Sequence, residues 1–232
     1  MTLVLQRIVD GAWVPWTIED ADGKLDFRAG LPGAFGYDQA AHVLRALQAD
    51  GARAIDLLPL ALPTSWMVNA KATSRTFRAW LTPPARVSWQ VLLDLLPFDA
   101  SLESWAESED RDQIVERVSR LAAIEGAGLA AVSKVLALLR PQLVPLMDDA
   151  AIAFAIGAVA MPDEADRATA GAECFAPMMD WFAAQALAGE AELVQIAARH
   201  RACVLDAAQV LDRLLWMDAW GVRYRTPRVT SR

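Results

Sequence analysis

From residue 38 onward, apolar residues recur at a helical period in one segment after another. In the first of these segments four apolar residues share one stripe: Ala41, Val43, Leu44 and Leu47. Asp38 precedes this stripe and Gly51 follows it. Apolar side chains three and four positions apart lie on one helix face, and Asp before and Gly after such a stripe are typical of helix ends. The period therefore predicts a mainly α-helical chain.

The same period predicts helices along the rest of the chain. They fall at 73–81, 86–96, 101–126, 129–139, 149–159, 162–188 with a break near Gly171, 190–200 and 202–220. Residues 129–139 are almost wholly apolar, so this helix is expected at the centre of the core. Because no repeat and no interdomain linker interrupts these segments, we predict a single-domain helical bundle over 37–232.

The first 36 residues differ in character and are predicted to form an arm with a small β-hairpin. Residues 12–18 and 24–27 are the expected strands, joined by a turn at Asp20-Ala21-Asp22-Gly23. Residues 30–36 contain three glycines and a proline. Such a run predicts a break between the arm and the helical domain.

Composition limits both the class of protein and its partners. Of the 232 residues, 55% are hydrophobic and 22% are charged, which is typical of a globular protein with a substantial core. The formal net charge is −7, so a general binder of polyanions is disfavoured and DNA contact is expected only through a local patch. An acidic surface is instead suited to a basic protein partner.

Cysteine content and hydropathy predict the compartment. Cys174 and Cys203 have no metal-ligand spacing, so we expect a reducing, cytoplasmic environment with neither a disulfide framework nor a metal site. No glycine pattern for a nucleotide cofactor occurs, and no cofactor is expected. The apolar start of the chain is broken by Arg7 and Asp10, and the longest uncharged runs are too short to span a membrane.

A Gly-x-Gly turn lies between two segments of strong helical period. Gly126, Ala127 and Gly128 separate these segments and predict a helix-hairpin-helix at about 109–140. Glycine permits positive φ, and the N–H groups at the start of the second helix can point together at a phosphate. The alternative is a tight helix corner whose glycines serve packing.

Lys134 lies six residues after Gly128, inside the apolar helix. Its ammonium group could reach a phosphate or the carboxylate of Asp148, and it would then belong to a nucleic-acid-binding site with the hairpin residues 126–128. The alternative is a lysine that carries its charge to the surface while its methylene groups cover the core.

The segment after this helix completes a family resemblance. Residues 140–149 read Arg-Pro-Gln-Leu-Val-Pro-Leu-Met-Asp-Asp, and Asp148 lies twenty residues after Gly128. The order of hairpin, apolar helix, proline and acid resembles the helix-hairpin-helix DNA glycosylase superfamily, whose catalytic aspartate follows the hairpin at about this distance. The segment also resembles bacterial proteins of unknown function with a Ser-Lys-x-Leu-Ala-Leu-x-Arg-Pro run, and this second likeness implies no activity.

The resemblance implies a monofunctional DNA glycosylase with Asp148 as its catalytic residue. The carboxylate would orient a water or stabilise the oxocarbenium-like transition state at C1′ of a flipped nucleotide. Ala130 stands where lyase members carry a Schiff-base lysine, so lyase activity is not implied. Asp149 is the alternative acid, because this chain has Leu146 and Met147 between proline and acid where the family has one residue.

Other features favour a non-enzymatic function. Asp148 and Asp149 are equally suited to be a helix N-cap and a first-turn acid. Glu125 replaces the hairpin proline of the family and would repel a phosphate, and acids outnumber arginines over 101–120. These features favour a protein-interaction module on the same helical scaffold, with an acidic surface that meets a basic partner.

Trp216 and Trp220 stand one helical turn apart in the last predicted helix, so they share a face. An aromatic pair at this position can stack a flipped base. The alternative is that both rings pack in the core, which is the commoner situation for aromatic residues on an apolar stripe.

Overall fold

The protein is mainly α-helical with a small N-terminal hairpin, as predicted. The computed structural model describes residues 2–68, 74–124, 127–157, 172–200 and 206–225. The strands are β1 (Leu3–Val9) and β2 (Ala12–Ile18). The described helices are α1 (Ala21–Ala29), α2 (Pro32–Ala49), α3 (Ala54–Thr64), α4 (Ser74–Trp80), α5 (Pro83–Leu95), α6 (Leu102–Glu107), α7 (Arg111–Ala122), α8 (Gly128–Leu139), α9 (Asp149–Ile156), α10 (Phe175–Ala188), α11 (Glu190–Arg199) and α12 (Ala207–Arg225). A 3₁₀ turn, Ser65–Val68, follows α3.

The predicted strand at 12–18 is confirmed as β2, but its partner is β1 and not residues 24–27. β1 and β2 pair antiparallel along their whole length. Asp10 and Gly11 join them with φ of 50° and 77°, and two positive φ values in a two-residue connection are typical of a type I′ turn. The expected strand at 24–27 is wrong, because those residues lie in α1. Asp20 caps that helix by accepting the N–H of Gly23 at 3.3 Å.

Helix α2 begins seven residues earlier than predicted, with Leu31 and not Asp38 as its N-cap. Pro32 occupies its first turn, where a fixed φ and a missing N–H suit a helix start. A Cβ on Gly33 would lie 2.5 Å from the carbonyl oxygen of Met67, so this glycine permits a close approach of the 3₁₀ turn rather than a break. Asp38, the expected N-cap, is therefore inside α2, which runs across the predicted boundary between arm and helical domain.

Two further predictions need correction or lie outside the described residues. The single helix expected at 101–126 is two helices, α6 and α7, and Ser101 caps the first of them in a capping box with Ser104. Helix α3 was not expected, because Pro59 and Pro63 lie inside it. The predicted break near Gly171 falls on residues that the structure does not describe.

Helix α8 lies at the centre of the core, as its composition predicted. Leu129 and every residue from 131 to 139 are buried. The helix packs against α2, α3, α7 and the 3₁₀ turn. A helix that is apolar all round needs such neighbours on every side.

Arg140 follows α8 and joins it to the end of α5. The residue is 3% exposed, and its guanidinium group donates to the carbonyls of Leu93 (3.2 Å), Leu96 and Leu139 (2.7 Å) and to the side chain of Gln48. The last carbonyls of a helix have no partner within the helix, and Arg140 supplies it for both α5 and α8. Burial lowers the pKa of Arg140 to about 10, so the group stays charged at neutral pH.

The hairpin docks on α10 through the outer edge of β1. The N–H of Gln6 donates to Oε1 of Gln185 (2.7 Å), and its carbonyl accepts Nε1–H of Trp181 (2.9 Å). Gln6 is opposite Pro15 of β2. Because the polar backbone groups of Gln6 point away from β2, this pair is a non-hydrogen-bonded one, where Pro15 costs the sheet no donor.

Helix α12 connects the N-terminal elements to the rest of the domain. It packs against α1, α9 and α11. The side chains of Trp16 on β2 and Lys24 on α1 both donate to Asp218 on α12, the former at 2.8 Å. None of the described helices, of which α12 is the longest, is both long and apolar enough to cross a membrane.

Candidate functional site around Asp148

The residues before α9 are held by side chains from two helices. The N–H of Leu146 donates to Oδ1 of Asp212 on α12 (2.8 Å), and the N–H of Met147 donates to Oγ of Ser133 on α8 (3.0 Å). Both Leu146 and Met147 are buried. Buried backbone outside regular structure needs such partners, and here they fix where Asp148 stands.

Asp148 caps α9 and is also bound by α12. Its Oδ1 accepts the N–H groups of Ala150 (3.1 Å) and Ala151 (2.9 Å), and its Oδ2 accepts Nε1–H of Trp220 (3.1 Å). A carboxylate offers about four acceptor positions, so these three donors leave one position on Oδ2. Asp148 is partly exposed, whereas Asp149 is exposed as the first residue of α9. Of the two acids, Asp148 is the one held in a fixed orientation.

Trp216 and Trp220 form an aromatic pair next to Asp148. Their ring centroids are 5.6 Å apart and their planes are inclined by 38°. The guanidinium carbon of Arg28 lies 5.6 Å from the centre of the Trp216 ring. Trp216 packs against the core, and both tryptophans remain partly exposed. The pair is therefore neither fully in the core nor fully on the surface.

A cluster of charged side chains adjoins this pair. Arg28 and Arg213 both donate to Oδ2 of Asp38, Arg213 at 3.1 Å. The three side chains are 2%, 8% and 10% exposed. Buried charges cost free energy unless they are paired, so this cluster links α1, α2 and α12 in one arrangement.

Asp212 belongs to the same cluster and has a shifted pKa. Burial raises the pKa of Asp212 to about 6, although Arg28, Arg213 and the N–H of Leu146 act in the opposite direction. Shifted carboxyl groups occur both at functional sites and in structural ion networks. Among the described residues, no group of three or more His, Cys, Asp or Glu side chains could hold a metal ion.

The described part of the predicted hairpin shows why Gly128 is a glycine. Gly126 lies outside the described residues, and Ala127 donates its N–H to the carbonyl of Ile124 (2.9 Å). Gly128 has a φ of 68°, and a Cβ built on it would meet no atom of the described residues within 4 Å. This glycine therefore serves the backbone conformation and not close packing. No side chain caps the N-terminus of α8.

Lys134 lies in the interior of the domain. It is 5% exposed, and its carbonyl accepts the hydroxyl of Tyr37 at 2.6 Å. Burial, together with the charges of Asp212 and Asp38, raises the pKa of Tyr37 well above its ordinary value. The lysine does not carry its charge to the surface, which was one of the two alternatives for it. Its contact with a phosphate stays a prediction.

Sequence reasoning did not single out Asp212 or Arg28. Asp212, Trp216 and Trp220 follow one another at intervals of four residues, so their spacing alone indicates a common helix face. Arg28 offers no such signal, because it meets Asp38 and Trp216 only through the packing of α1 against α2 and α12.

The chain belongs to DUF6308, a family of unknown function. The family match covers residues 37–219, which include Asp148, Asp212 and Trp216 but neither Arg28 nor Trp220. A search of curated proteins and a search of solved structures found no match. Because the family name carries no activity, the resemblance to the glycosylase superfamily stays a prediction.

Proposed function

We propose that this member of DUF6308 binds a nucleotide-like ligand in DNA at Asp148, as the monofunctional helix-hairpin-helix DNA glycosylases that its sequence resembles do. The observation that carries the proposal is the position of Asp148 beside Trp216 and Trp220. This arrangement joins a carboxylate with one remaining acceptor position to two partly exposed indole rings. A nucleobase offers a flat ring and N–H donors, which match both features.

The two tryptophans are suited to stacking because their orientations are already fixed. Trp220 donates to Asp148, and Trp216 lies against the guanidinium group of Arg28. A ring that is held before the ligand arrives loses little conformational freedom on binding. Stacking of one base on an aromatic side chain contributes about 1–3 kcal/mol to binding.

The carboxylate of Asp148 supplies the chemistry in this proposal. It would stabilise the positive charge that develops at C1′ as the base leaves, or orient the attacking water from its remaining acceptor position. The N–H donors of Ala150, Ala151 and Trp220 hold it in place during that step.

The start of α8 supports contact with the DNA backbone. Gly128 is half-buried and no side chain caps α8 at Ala127, so the first N–H groups of α8 suit a phosphate oxygen. In this proposal the hairpin residues 126–128 position the strand, and Asp148 acts on the base.

The proposal is tested by Asp148→Asn with Asp149→Asn as the matched control. Asn keeps the cap on α9 but turns an amide nitrogen towards Trp220, so we expect a loss of about 1 kcal/mol in the free energy of unfolding. An uncharged amide cannot stabilise an oxocarbenium-like transition state, so base release should fall by about a hundredfold or more. The control should keep its activity.

The assays are base release from duplexes that carry a panel of damaged bases, and thermal unfolding of the three proteins. Absence of release by the wild type across the panel would contradict the catalytic part of the proposal. Failure of the wild type to bind a duplex with an abasic-site analogue, at low salt, would contradict the binding part as well. Unchanged release by Asp148→Asn would remove Asp148 from the site.

A further inference from the structure

A groove of about 980 Å³ opens between the start of α6, the corner of α10 and α11, and the start of α12. Four large apolar residues line it: Phe98, Leu102, Leu187 and Val194. Leu187 is 40% exposed and Val194 is 51% exposed. The volume lies at the upper end of the range for ligand sites, so it can take several side chains of a partner.

The rim of this groove is acidic. Three exposed carboxylates stand on it: Asp99, Glu103 and Glu190. Among the described residues none of the three has an ion-pair partner. Among the described residues that line the groove, Arg45 pairs with Asp206 (3.4 Å) and the imidazole of His200 contacts Asp22 (3.3 Å). In the described part of the chain the rim therefore presents three carboxylates without an ion-pair partner around an apolar floor, with the charge of Asp99 also acting on the buried Arg140.

Gln142 adds a polar group with unmet hydrogen-bonding capacity. Its side-chain nitrogen donates to the carbonyl of Phe98, and Gln142 lines the groove. Its Oε1 is buried and has no donor among the described residues. A buried acceptor without a donor costs free energy.

We propose that the groove binds a basic amphipathic segment of a partner protein. The apolar side chains of that segment would pack against Leu187 and Val194, and its Lys or Arg side chains would pair with Asp99, Glu103 and Glu190. Charge complementarity selects this occupant. The same carboxylates repel nucleic acid and anionic lipid surfaces. An amphipathic helix laid in an apolar groove is a common mode of peptide recognition.

The inference goes beyond the proposed nucleotide site. The groove adjoins Ala207 and Ala208 at the start of α12, whereas Asp148 binds Trp220 near its other end. Trp220 stands thirteen positions after Ala207 in the same helix, which is about 20 Å at 1.5 Å per residue. Failure of one site therefore says nothing against the other.

The test uses the full chain and a fluorescein-labelled peptide of Leu and Lys, with Leu at helical spacing, followed by fluorescence anisotropy. The rim variant is Glu103→Gln with Glu190→Gln. The matched control is Glu107→Gln with Asp112→Asn, which removes the same charge from exposed positions outside the groove. We expect the rim variant to bind about tenfold more weakly at low salt and the control to bind as the wild type does. Circular dichroism checks that both variants fold.

Three outcomes overturn the proposal. The first is no binding of the Leu-Lys peptide, and the second is equal weakening in the rim and control variants. The third concerns a peptide with the sequence of this chain's residues 219–232. If that peptide binds more tightly than the Leu-Lys peptide and is weakened in the same way by the rim variant, the occupant is a second copy of the chain. A peptide with Glu in place of Lys should not bind, and Val194→Asp should abolish binding of the Lys peptide.

Discussion

Replacing Asp212 with Asn should change how the stability of the protein depends on pH. Burial raises the pKa of Asp212 from 3.8 to about 6 in the folded protein. Between these two values the folded state binds a proton that the unfolded chain releases. The contribution of Asp212 to the free energy of unfolding is therefore most favourable below pH 3.8, falls as the pH rises to 6, and is constant above that.

The size of this effect follows from the pKa difference. Two pKa units correspond to about 3 kcal/mol at 1.36 kcal/mol per unit. Asn resembles the protonated carboxyl, and its Oδ1 can still accept the N–H of Leu146. Asp212→Asn should thus resemble the wild type in stability near pH 4 and exceed it by up to about 3 kcal/mol at pH 7 and above.

Urea unfolding followed by tryptophan fluorescence, at a series of pH values from 4 to 8, measures this difference. Asp50→Asn is the matched control, because Asp50 is an exposed carboxylate at the end of α2. Groups common to both proteins titrate alike and cancel in the difference. A constant difference between Asp212→Asn and the wild type over this range would refute the reasoning, as would a difference that rises with falling pH.

Two further substitutions, each with its own control, test the role of Arg140 at the end of a helix and of the positive φ at Gly128. Arg140→Met leaves the carbonyls of Leu93 and Leu96 at the end of α5 without their side-chain donor, whereas the carbonyl of Leu139 keeps Nε2–H of Gln48 (3.2 Å). The substitution should lower the free energy of unfolding by about 3 kcal/mol. Arg53→Met, at an exposed ion pair with Asp56, should leave the urea midpoint unchanged, and equal effects of the two substitutions would contradict this account. Gly128→Ala should cost about 1–2 kcal/mol because of its positive φ alone. A Cβ on Gly221, inside α12, would meet no atom of the described residues within 4 Å, so Gly221→Ala should stabilise the protein in the same unfolding assay. A loss of stability in Gly221→Ala would contradict the contrast between a helical glycine and one with positive φ.

The fold class and the central helix could be predicted because both depend on local period. Residues 129–139 carry the signal of a buried helix in their own composition, whatever surrounds them. The hairpin was mispredicted because two Asp-Gly signals compete over the first 23 residues, and the one at Asp10-Gly11 has a strand-forming segment on both sides. Propensity alone does not show that residues 24–27 pack as a helix on α12.

The candidate site likewise has one part that the sequence predicts and another that it does not. Asp148 stands out in the sequence because proline and acid follow a hairpin at a fixed distance. Two of the contacts that orient Asp148 are local, those from Ala150 and Ala151, whereas the third comes from Trp220, 72 residues further along the chain. The cluster of Arg28, Asp38 and Arg213 depends on three helices meeting, and no spacing in the sequence encodes that meeting.

The docking of Gln6 on α10 also determines whether the hairpin can grow. A two-stranded ribbon has two edges where a further chain can add, and each must be closed if the protein is to stay free of strand exchange. Trp181 and Gln185 occupy the hydrogen-bonding groups of Gln6 on one edge. On the other edge the same pairing turns Pro15 outward, at a position where an incoming strand would need an N–H. One residue pair thus obstructs both edges, and the ribbon ends at two strands.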